Sequence, residues 1–295
     1  MKNEEIDKYV TAGLIAKEVS NYAKKIIKKD IALLKIAEEI ENKIVEKGGA
    51  PAFPVNLSIN EIAAHCTPNY NEQAVANGLL KVDIGVQIEG FIADTAFSID
   101  LEESEKNKEL ILASEEAVKK ASEKINEGVK LADIGKVIEE TIHSFKKKSI
   151  WNLSGHLIER YNLHAGIVIP NIDNSQNYLI EEGVYAIEPF ATTGLGYVKD
   201  GKKSGIYKVE KINNVRDEFA RKVLLFILEK YKTLPFCSRW IYKEFGLRGL
   251  SALQRLEEAK IVNQFYQLIE AGREKVAQTE HTIVITKEKK IITTI

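Results

Sequence analysis

Thiols are scarce in this sequence. Only two cysteines, Cys66 and Cys237, occur among 295 residues, and they lie too far apart in the chain to form a CxxC pair. This pattern argues against a disulfide framework and against a thiolate zinc site. It is typical of proteins in a reducing compartment, so we expect a cytoplasmic protein.

An excess of charge of one sign is missing as well. The 42 basic and 43 acidic residues leave a net charge of -1, so no overall field attracts nucleic acid or an anionic membrane. Residues 1–5 are charged and lead into an amphipathic helical pattern, unlike a secretory signal. No apolar run is long enough to cross a bilayer. We expect no DNA or membrane partner, and a monomer as the default state.

What is present is an ordinary globular composition, with 44% hydrophobic and 29% charged residues. Apolar residues recur at helical spacing in four segments, at about 4–29, 31–44, 109–125 and 131–147. A β-rich stretch follows each pair of helices, the second with strands near 164–169, 183–190 and 275–285. The order helix–helix–β occurs twice, which predicts an α+β fold with a pseudo-repeat in a single domain over residues 1–295.

Residues 217–263 interrupt the second β-rich stretch with a helical pattern. We interpret this segment as an inserted helical subdomain. It is basic in places, for example at Arg239 and Arg248, and RNA contact is one interpretation of these residues. A solvated helical face is the simpler one.

Two aspartates lie on a predicted hairpin. Apolar runs on either side of Glu89-Gly90, within residues 79–99, are the signature of two strands joined by a tight turn. In that register Asp83 and Asp94 share one face of the hairpin, about 7–8 Å apart at the backbone. If buried, the two carboxylates need a cation or a shared proton, because their neighbours are apolar. If exposed, they simply face solvent.

Two further acids stand in apolar strands. Glu188 ends one predicted strand and Glu280 lies within another. Acidic residues are uncommon at such positions unless they are paired or bind a metal. Four strand carboxylates with one imidazole would make a mostly oxygen site for two divalent ions, Mn, Fe, Co or Zn.

Five histidines are available to complete such a site. His143 lies on a lysine-rich helical pattern and is expected at the surface, and strand alternation turns His281 away from the preceding glutamate. The glycine before His156 permits an unusual backbone angle that would aim its ring. His164 opens the next predicted strand, and His65 follows a proline-rich turn. Spacing alone leaves open which of these three binds metal.

Seven segments together resemble the type II methionine aminopeptidases, in their archaeal form, within the pita-bread metallohydrolase superfamily. In the family's order, they are PAFPVNLSINEIAAH (51–65), VDIGV (82–86), GFIADTA (90–96), NLSGH (152–156), LHAG (163–166), AIEPF (186–190) and AQTEHTI (277–283). They extend from near the start of the chain to near its end. The resemblance implies the pita-bread fold, a pseudo-twofold repeat of helices on a curved antiparallel sheet.

The resemblance also implies roles for individual residues. The implied metal ligands are Asp83, Asp94, His156, Glu188 and Glu280. His65 and His164 match positions that contact the substrate and the transition state, and Glu188 matches a proton shuttle. An apolar pocket that includes Phe53 and Leu163 would take the methionine side chain.

The activity implied by the resemblance is removal of the N-terminal methionine from nascent proteins and peptides with a small second residue. A hydroxide activated by two divalent metals would attack the first peptide carbonyl. The implied partners are nascent N-termini, with the ribosome as a place of contact. One departure is Thr279, where the family usually has Phe. It should alter local packing or pocket shape and leave the ligand set intact.

Two alternative functions and two weaker motifs remain. An X-Pro peptidase would use the same five ligands, but such enzymes usually carry an extra N-terminal domain. A non-catalytic binding homologue typically loses ligands. Residues 196–203 nearly match a P-loop. However, the residue directly after Lys202 has no hydroxyl, and no helical pattern follows the segment. Cys66 beside His65 is an unlikely nucleophile, since adjacent residues rarely face each other.

Overall fold

The computed structural model describes residues 1–213 and 215–295. Its helices are α1 (Asn3–Ile26), α2 (Leu33–Glu46), α3 (Glu105–Lys124), α4 (Leu131–Ser144), α5 (Glu218–Lys230) and α6 (Ser238–Glu258). The strands of the first half are β1 (Ala50–Pro51), β2 (Asn56–Ile59), β3 (Ile62–Ala64), β4 (Leu79–Ile88) and β5 (Phe91–Asp100).

The remaining strands begin after α4. They are β6 (Lys148–Ser149), β7 (Ser154–Ile158), β8 (Val168–Pro170), β9 (Gly183–Ile187), β10 (Phe190–Thr192), β11 (Val198–Val209), β12 (Phe236–Cys237), β13 (Val262–Glu270), β14 (Val276–Gln278), β15 (His281–Ile285) and β16 (Lys290–Ile292). Among the helices of the described residues, none is long and apolar enough to span a membrane.

The first half packs α1 and α2 against the hairpin of β4 and β5. Apolar residues at helical spacing, such as Ile36 and Ile40 of α2, share one core cluster with Val82 and Ile84 of β4. Gly48 follows α2 with φ +87°, the left-handed conformation that ends many helices. This half confirms the predicted helix pair and strand pair.

The hairpin has the predicted register. Asp83 pairs with Ala96 and Asp94 pairs with Gly85. Glu89 and Gly90 have φ values of 51° and 90°, so both central turn residues are left-handed, as a tight turn of this kind requires. Because side chains alternate along a strand, Asp83 and Asp94 lie on one face.

The second half repeats the arrangement with α3 and α4. These helices share a core cluster with residues of β9, β14 and β15, for example Ile134, Ile187 and Ile283. The five-stranded sheet has the order β16-β15-β9-β7-β8. An antiparallel bridge between Ala96 and Glu280 connects the first half to the second. Two helix pairs on antiparallel sheets confirm the expected α+β fold.

Two local expectations in the second half were wrong. His164 does not open a strand: it lies in the loop before β8, whereas His156 lies on β7, a strand that the pattern did not predict. Gly155 does not adopt the left-handed conformation. It is needed for close approach, because a Cβ there would lie 2.2 Å from the carbonyl O of Ala186 on β9.

Helices α5 and α6 pack on β11 and β13 through their own apolar cluster, which includes Val223, Leu253 and Val262. Arg239 of α6 was expected to face solvent or RNA, and this expectation was wrong. It is 3% exposed, and its guanidinium binds both carboxylate oxygens of Glu41 on α2, at 2.7 and 2.8 Å. Glu41 therefore holds the start of α6 against the first half. The near-match to a P-loop falls mostly on β11, a strand.

Candidate metal centre

One pocket of about 70 Å³ gathers the side chains singled out from the sequence. It is lined by the five candidate ligands Asp83, Asp94, His156, Glu188 and Glu280, and by Phe53, His65, Leu163 and His164. These residues come from both halves of the fold and extend from Phe53 to Glu280 in the chain. The candidate site is therefore a product of tertiary structure.

The hairpin provides the floor of the pocket. Asp83 and Asp94 project from β4 and β5 on the same face. Between them, Gly85 leaves room for an aromatic ring, since a Cβ at this position would lie 2.3 Å from Cε1 of Phe53. Phe53 thus packs directly on the hairpin beside the two carboxylates.

The other three candidate ligands come from short or interrupted strands. His156 lies on β7, Glu188 follows β9, and Glu280 lies between β14 and β15. The amide of Asn171 donates to the carbonyl O of Glu188 at 3.1 Å and fixes its main chain. Glu280 N donates to the carbonyl O of Ala96 at 2.9 Å, which places it beside β5.

The ligand atoms lie within range of a shared cation. His156 Nε2 is 3.7 Å from Asp94 Oδ2 and 3.8 Å from Glu188 Oε1. Asp94, His156 and Glu280 each offer a ligand atom, and these atoms lie within 4.8 Å of one another. Such a mixed oxygen and imidazole set suits Mn, Fe, Co or Zn.

Several polar atoms of this cluster are buried without a hydrogen-bond partner among the described residues. The carboxylate oxygens among them are Oδ1 of Asp83, Oδ1 of Asp94 and Oε1 of Glu280. Buried polar atoms normally find partners, and unpaired ones are costly. Orphaned atoms converging on one pocket are what divalent cations would satisfy, so the residues fit a metal centre.

The ionisation of the cluster agrees with this. Burial raises the pKa of Asp83 to about 7. Burial, and then the charge of neighbouring carboxylates, raises the pKa of Asp94, Glu188 and Glu280 well above the ordinary value. Like charges packed together in a dry site hold protons unless a cation replaces them.

The three histidines of the pocket are neutral near pH 7. Burial, and then the proximity of His164, lowers the pKa of His156 to about 3. Burial, and then His65, lowers the pKa of His164 to about 4, and burial lowers that of His65. The rings of His156 and His164 lie 4.4 Å apart. Neutral imidazoles can bind metal or donate and accept hydrogen bonds.

The backbone of His65 is in the left-handed conformation, with a φ of +56°. A non-glycine residue in this conformation is uncommon and costs energy. The imidazole of His65 lines the pocket, where it lies 5.1 Å from the ring of Phe265. Strain of this kind is concentrated at functional sites.

Residues expected outside the site lie outside it. His143 is exposed, and His281 points to the other face of β15, where its Nδ1 lies 2.9 Å from Thr294 Oγ1. Thr279 shares a hydrogen bond of 2.8 Å with Ser114 of α3 and does not line the pocket. It affects local packing alone. Burial raises the pKa of Cys66 to about 11, which disfavours the nucleophilic thiolate.

Some pocket residues had no signal in the sequence pattern. Asn56 pairs with Asp83 across β2 and β4, and its Oδ1 is also buried without a partner. Phe265, Ile206 and Pro235 form the wall on the side of α5 and α6. Only the packing of distant strands brings these residues to the pocket.

A buried set of carboxylates around an imidazole, in a fold of two helix pairs on antiparallel sheets, defines a metal-dependent hydrolase type of site. The model of metallopeptidase family M24 matches residues 7–287, so the chain belongs to this family. It is 43% identical over 297 residues to the methionine aminopeptidase of Methanocaldococcus jannaschii, with 100% of each chain covered.

Solved structures agree on the fold. A thermophilic Arx1 matches with a TM-score of 0.85 at 16% identity, covering 99% of this chain and 91% of that one. Methionine aminopeptidase from Rickettsia prowazekii matches with a TM-score of 0.72 at 21% identity, covering 100% and 98%. At such identities the likeness concerns the fold, and it confirms the pita-bread architecture.

Proposed function

We propose that this protein is a metal-dependent aminopeptidase that removes methionine from the N-termini of proteins and peptides with a small second residue. The observation that carries the proposal is the convergence of Asp83, Asp94, His156, Glu188 and Glu280 on one pocket, where carboxylate oxygens of Asp83, Asp94 and Glu280 are buried with no partner among the described residues. The full-length similarity to a methionine aminopeptidase selects this activity among metallopeptidases.

The five residues would hold two divalent ions. Asp94 and Glu280, which lie close together because Glu280 pairs with Ala96 of β5, would help to hold both ions. Asp83 would bind one ion, and His156 with Glu188 would complete the other. When bound, the ions would supply an acidified water and polarise the scissile carbonyl.

The other pocket residues contribute proton transfer and binding. Glu188 is the candidate to accept and return a proton, and Gln278 Nε2 lies 3.5 Å from its Oε2. His65 and His164 are neutral and line the pocket, so they can donate hydrogen bonds to the substrate as charge develops. Phe53 and Leu163 form the apolar wall for the methionine side chain.

The pocket is small, about 70 Å³, and combines the carboxylate cluster with the apolar side chains of Phe53 and Leu163. We infer that nascent N-termini in the cytoplasm are the substrates. Residues 217–263 would form an inserted helical subdomain. Its Pro235, in the segment between α5 and α6, lines one side of the pocket. Arg239 cannot bind RNA at the ribosome, since it is buried against Glu41.

Peptide hydrolysis tests the proposal. The chelator-treated protein is incubated with Met-Ala-Ser and Met-Lys-Ser, with or without Mn, Fe, Co or Zn, and free methionine is measured. We expect metal-dependent release from Met-Ala-Ser only. Glu280→Ala should abolish the release, whereas Glu288→Ala, a change at an exposed acid, should not. Release without metal, or full activity of Glu280→Ala, would contradict the mechanism.

A further inference from the structure

Two threonine hydroxyls tie together the strands that carry Asp94 and Glu280. Thr282 Oγ1 accepts a hydrogen bond from Asp94 N at 2.7 Å and donates one to the carbonyl O of the same residue at 2.8 Å. Thr95 Oγ1 donates to the carbonyl O of Glu280 at 2.9 Å. Each threonine therefore fixes the main chain of the carboxylate residue on the opposite strand.

The threonine hydrogen bonds lie next to the point where backbone pairing between β5 and the segment around Glu280 ends. Glu280 and Ala96 exchange two backbone hydrogen bonds, at 2.9 and 3.3 Å. Two residues earlier, at Asp94, β5 meets the hydroxyl of Thr282 in place of a backbone partner. Asp94 is 4% exposed, so both of its backbone groups on this edge would lose their partner without that hydroxyl.

Thr282 is itself held from behind. Its carbonyl O accepts hydrogen bonds from Thr293 N at 2.9 Å and Thr293 Oγ1 at 3.1 Å, and its N–H donates to Thr294 Oγ1 at 3.3 Å. The side chain of Thr282 is 0% exposed. It thus has no freedom to follow Asp94 if the strand shifts, and its hydroxyl acts as a fixed point.

We propose that Thr282 is a positioning residue of the metal centre, whose hydroxyl sets the place of the Asp94 carboxylate relative to Glu280. The inference rests on the proposed function, in which these two carboxylates are shared between the metal ions. Removal of a group that orients a metal ligand typically lowers metal affinity about 10- to 100-fold. An ordinary structural hydroxyl would influence stability only.

The chain offers a matched control in Thr192. This residue is also 0% exposed, and its hydroxyl likewise donates to a carbonyl, that of Lys275 at 2.9 Å, and accepts from a backbone N–H, that of Gly194 at 3.0 Å. Neither partner is a candidate ligand. Thr192→Val removes the same two kinds of hydrogen bond as Thr282→Val.

The test compares Thr282→Val, Thr282→Ser and Thr192→Val with the wild type. Mn²⁺ affinity is measured by calorimetry on chelator-treated protein, thermal unfolding is followed without metal, and kcat/KM is measured on Met-Ala-Ser. We expect Thr282→Val to lower Mn²⁺ affinity about 10- to 100-fold. Thr282→Ser, which keeps the hydroxyl, should bind Mn²⁺ with an affinity close to that of the wild type. Thr192→Val should lower the unfolding temperature and leave affinity unchanged.

Equal Mn²⁺ affinity of Thr282→Val and wild type would overturn the inference while methionine release by the wild type upholds the proposed function. A similar loss of affinity in Thr192→Val would also overturn it. If the wild type neither binds Mn²⁺ nor releases methionine, the proposed function fails and the inference with it. Should Thr282→Val not fold, Thr282→Ala removes the same hydroxyl without adding a second methyl group, and unchanged Mn²⁺ affinity there would overturn the inference.

Discussion

In the first half of the molecule, Asp83 and Asp94 lie on two unbroken strands of 10 residues each, joined by the turn at Glu89-Gly90. In the second half, His156 lies on a strand of 5 residues, and Glu188 and Glu280 lie at strand interruptions. One half thus positions its candidate ligands by local strand pairing. The other depends on contacts between segments that are distant in the chain.

The difference follows from what each half must do. A regular hairpin sets the spacing of two side chains through its register. An interrupted strand leaves backbone groups free, and side chains must satisfy them. The side-chain amide of Asn171 and the hydroxyl of Thr95 do this at the carbonyl groups of Glu188 and Glu280. We therefore expect the halves to respond differently to substitution.

Removal of a candidate ligand from either half should have the largest effect. Asp94→Ala and His156→Ala should each lower kcat/KM for Met-Ala-Ser by about a thousandfold or more, because the loss of several kcal/mol of transition-state stabilisation has that effect. Steady-state assays with saturating Mn²⁺ measure this. Glu127→Ala, at an exposed acid, is the control. A loss under tenfold in either variant would remove that residue from the ligand set.

Gly155→Ala tests the close approach of β7 and β9 in the second half. The added Cβ would lie 2.2 Å from the carbonyl O of Ala186, and a paired backbone cannot move aside. We expect a loss of about 2–3 kcal/mol in unfolding free energy, measured by urea denaturation. Gly183→Ala in β9 should cost less, since the nearest atoms, at 3.0 Å, belong to side chains. Equal losses would refute the argument from backbone contact.

The pH dependence of metal binding tests the carboxylates of the first half. Burial raises the pKa of Asp83 to about 7, so the metal-free protein keeps this proton below that pH and must release it on binding. Mn²⁺ affinity should therefore fall as pH decreases from about 7, by about tenfold per unit for each proton released. Calorimetry at several pH values between about 6 and 8, a range that brackets the pKa of Asp83, measures how steeply Mn²⁺ affinity changes with pH. Asp83→Asn should make the slope less steep by the one proton of this carboxyl, and an unchanged slope would assign that proton elsewhere.

Gly90→Ala should have the smallest effect on the metal centre, because the turn at Glu89-Gly90 contacts the hairpin strands and not the candidate ligands. Gly90 has φ +90°, and an alanine there would cost about 1–2 kcal/mol of unfolding free energy. The new Cβ would also lie 2.4 Å from the ring of Tyr161, which would have to shift. Gly128→Ala, with φ +79° and no atom within 4 Å, isolates the cost of the backbone angle. Mn²⁺ affinity should stay at the wild-type value, and a clear loss would show that the turn controls the site.

The sequence by itself determined the parts of the molecule that depend on neighbours in the chain. Helical spacing predicted the two helix pairs, and a two-residue turn predicted every pair of the hairpin, because side-chain alternation follows directly from register. Residues near interruptions were less predictable. His164 lies in a loop and not in a strand, since its position depends on packing between halves.

Only the tertiary structure decided how the two halves meet. Alternation alone could not choose among His65, His156 and His164, whereas the family resemblance selected His156, the one that lies 3.7 Å from Asp94. Arg239 illustrates the same limit, because its partner Glu41 is 198 residues away in the chain. Periodicity records which face of an element is apolar, but the partner of that face is fixed by long-range packing. The metal centre, formed where the two halves touch, belongs to that second kind of information.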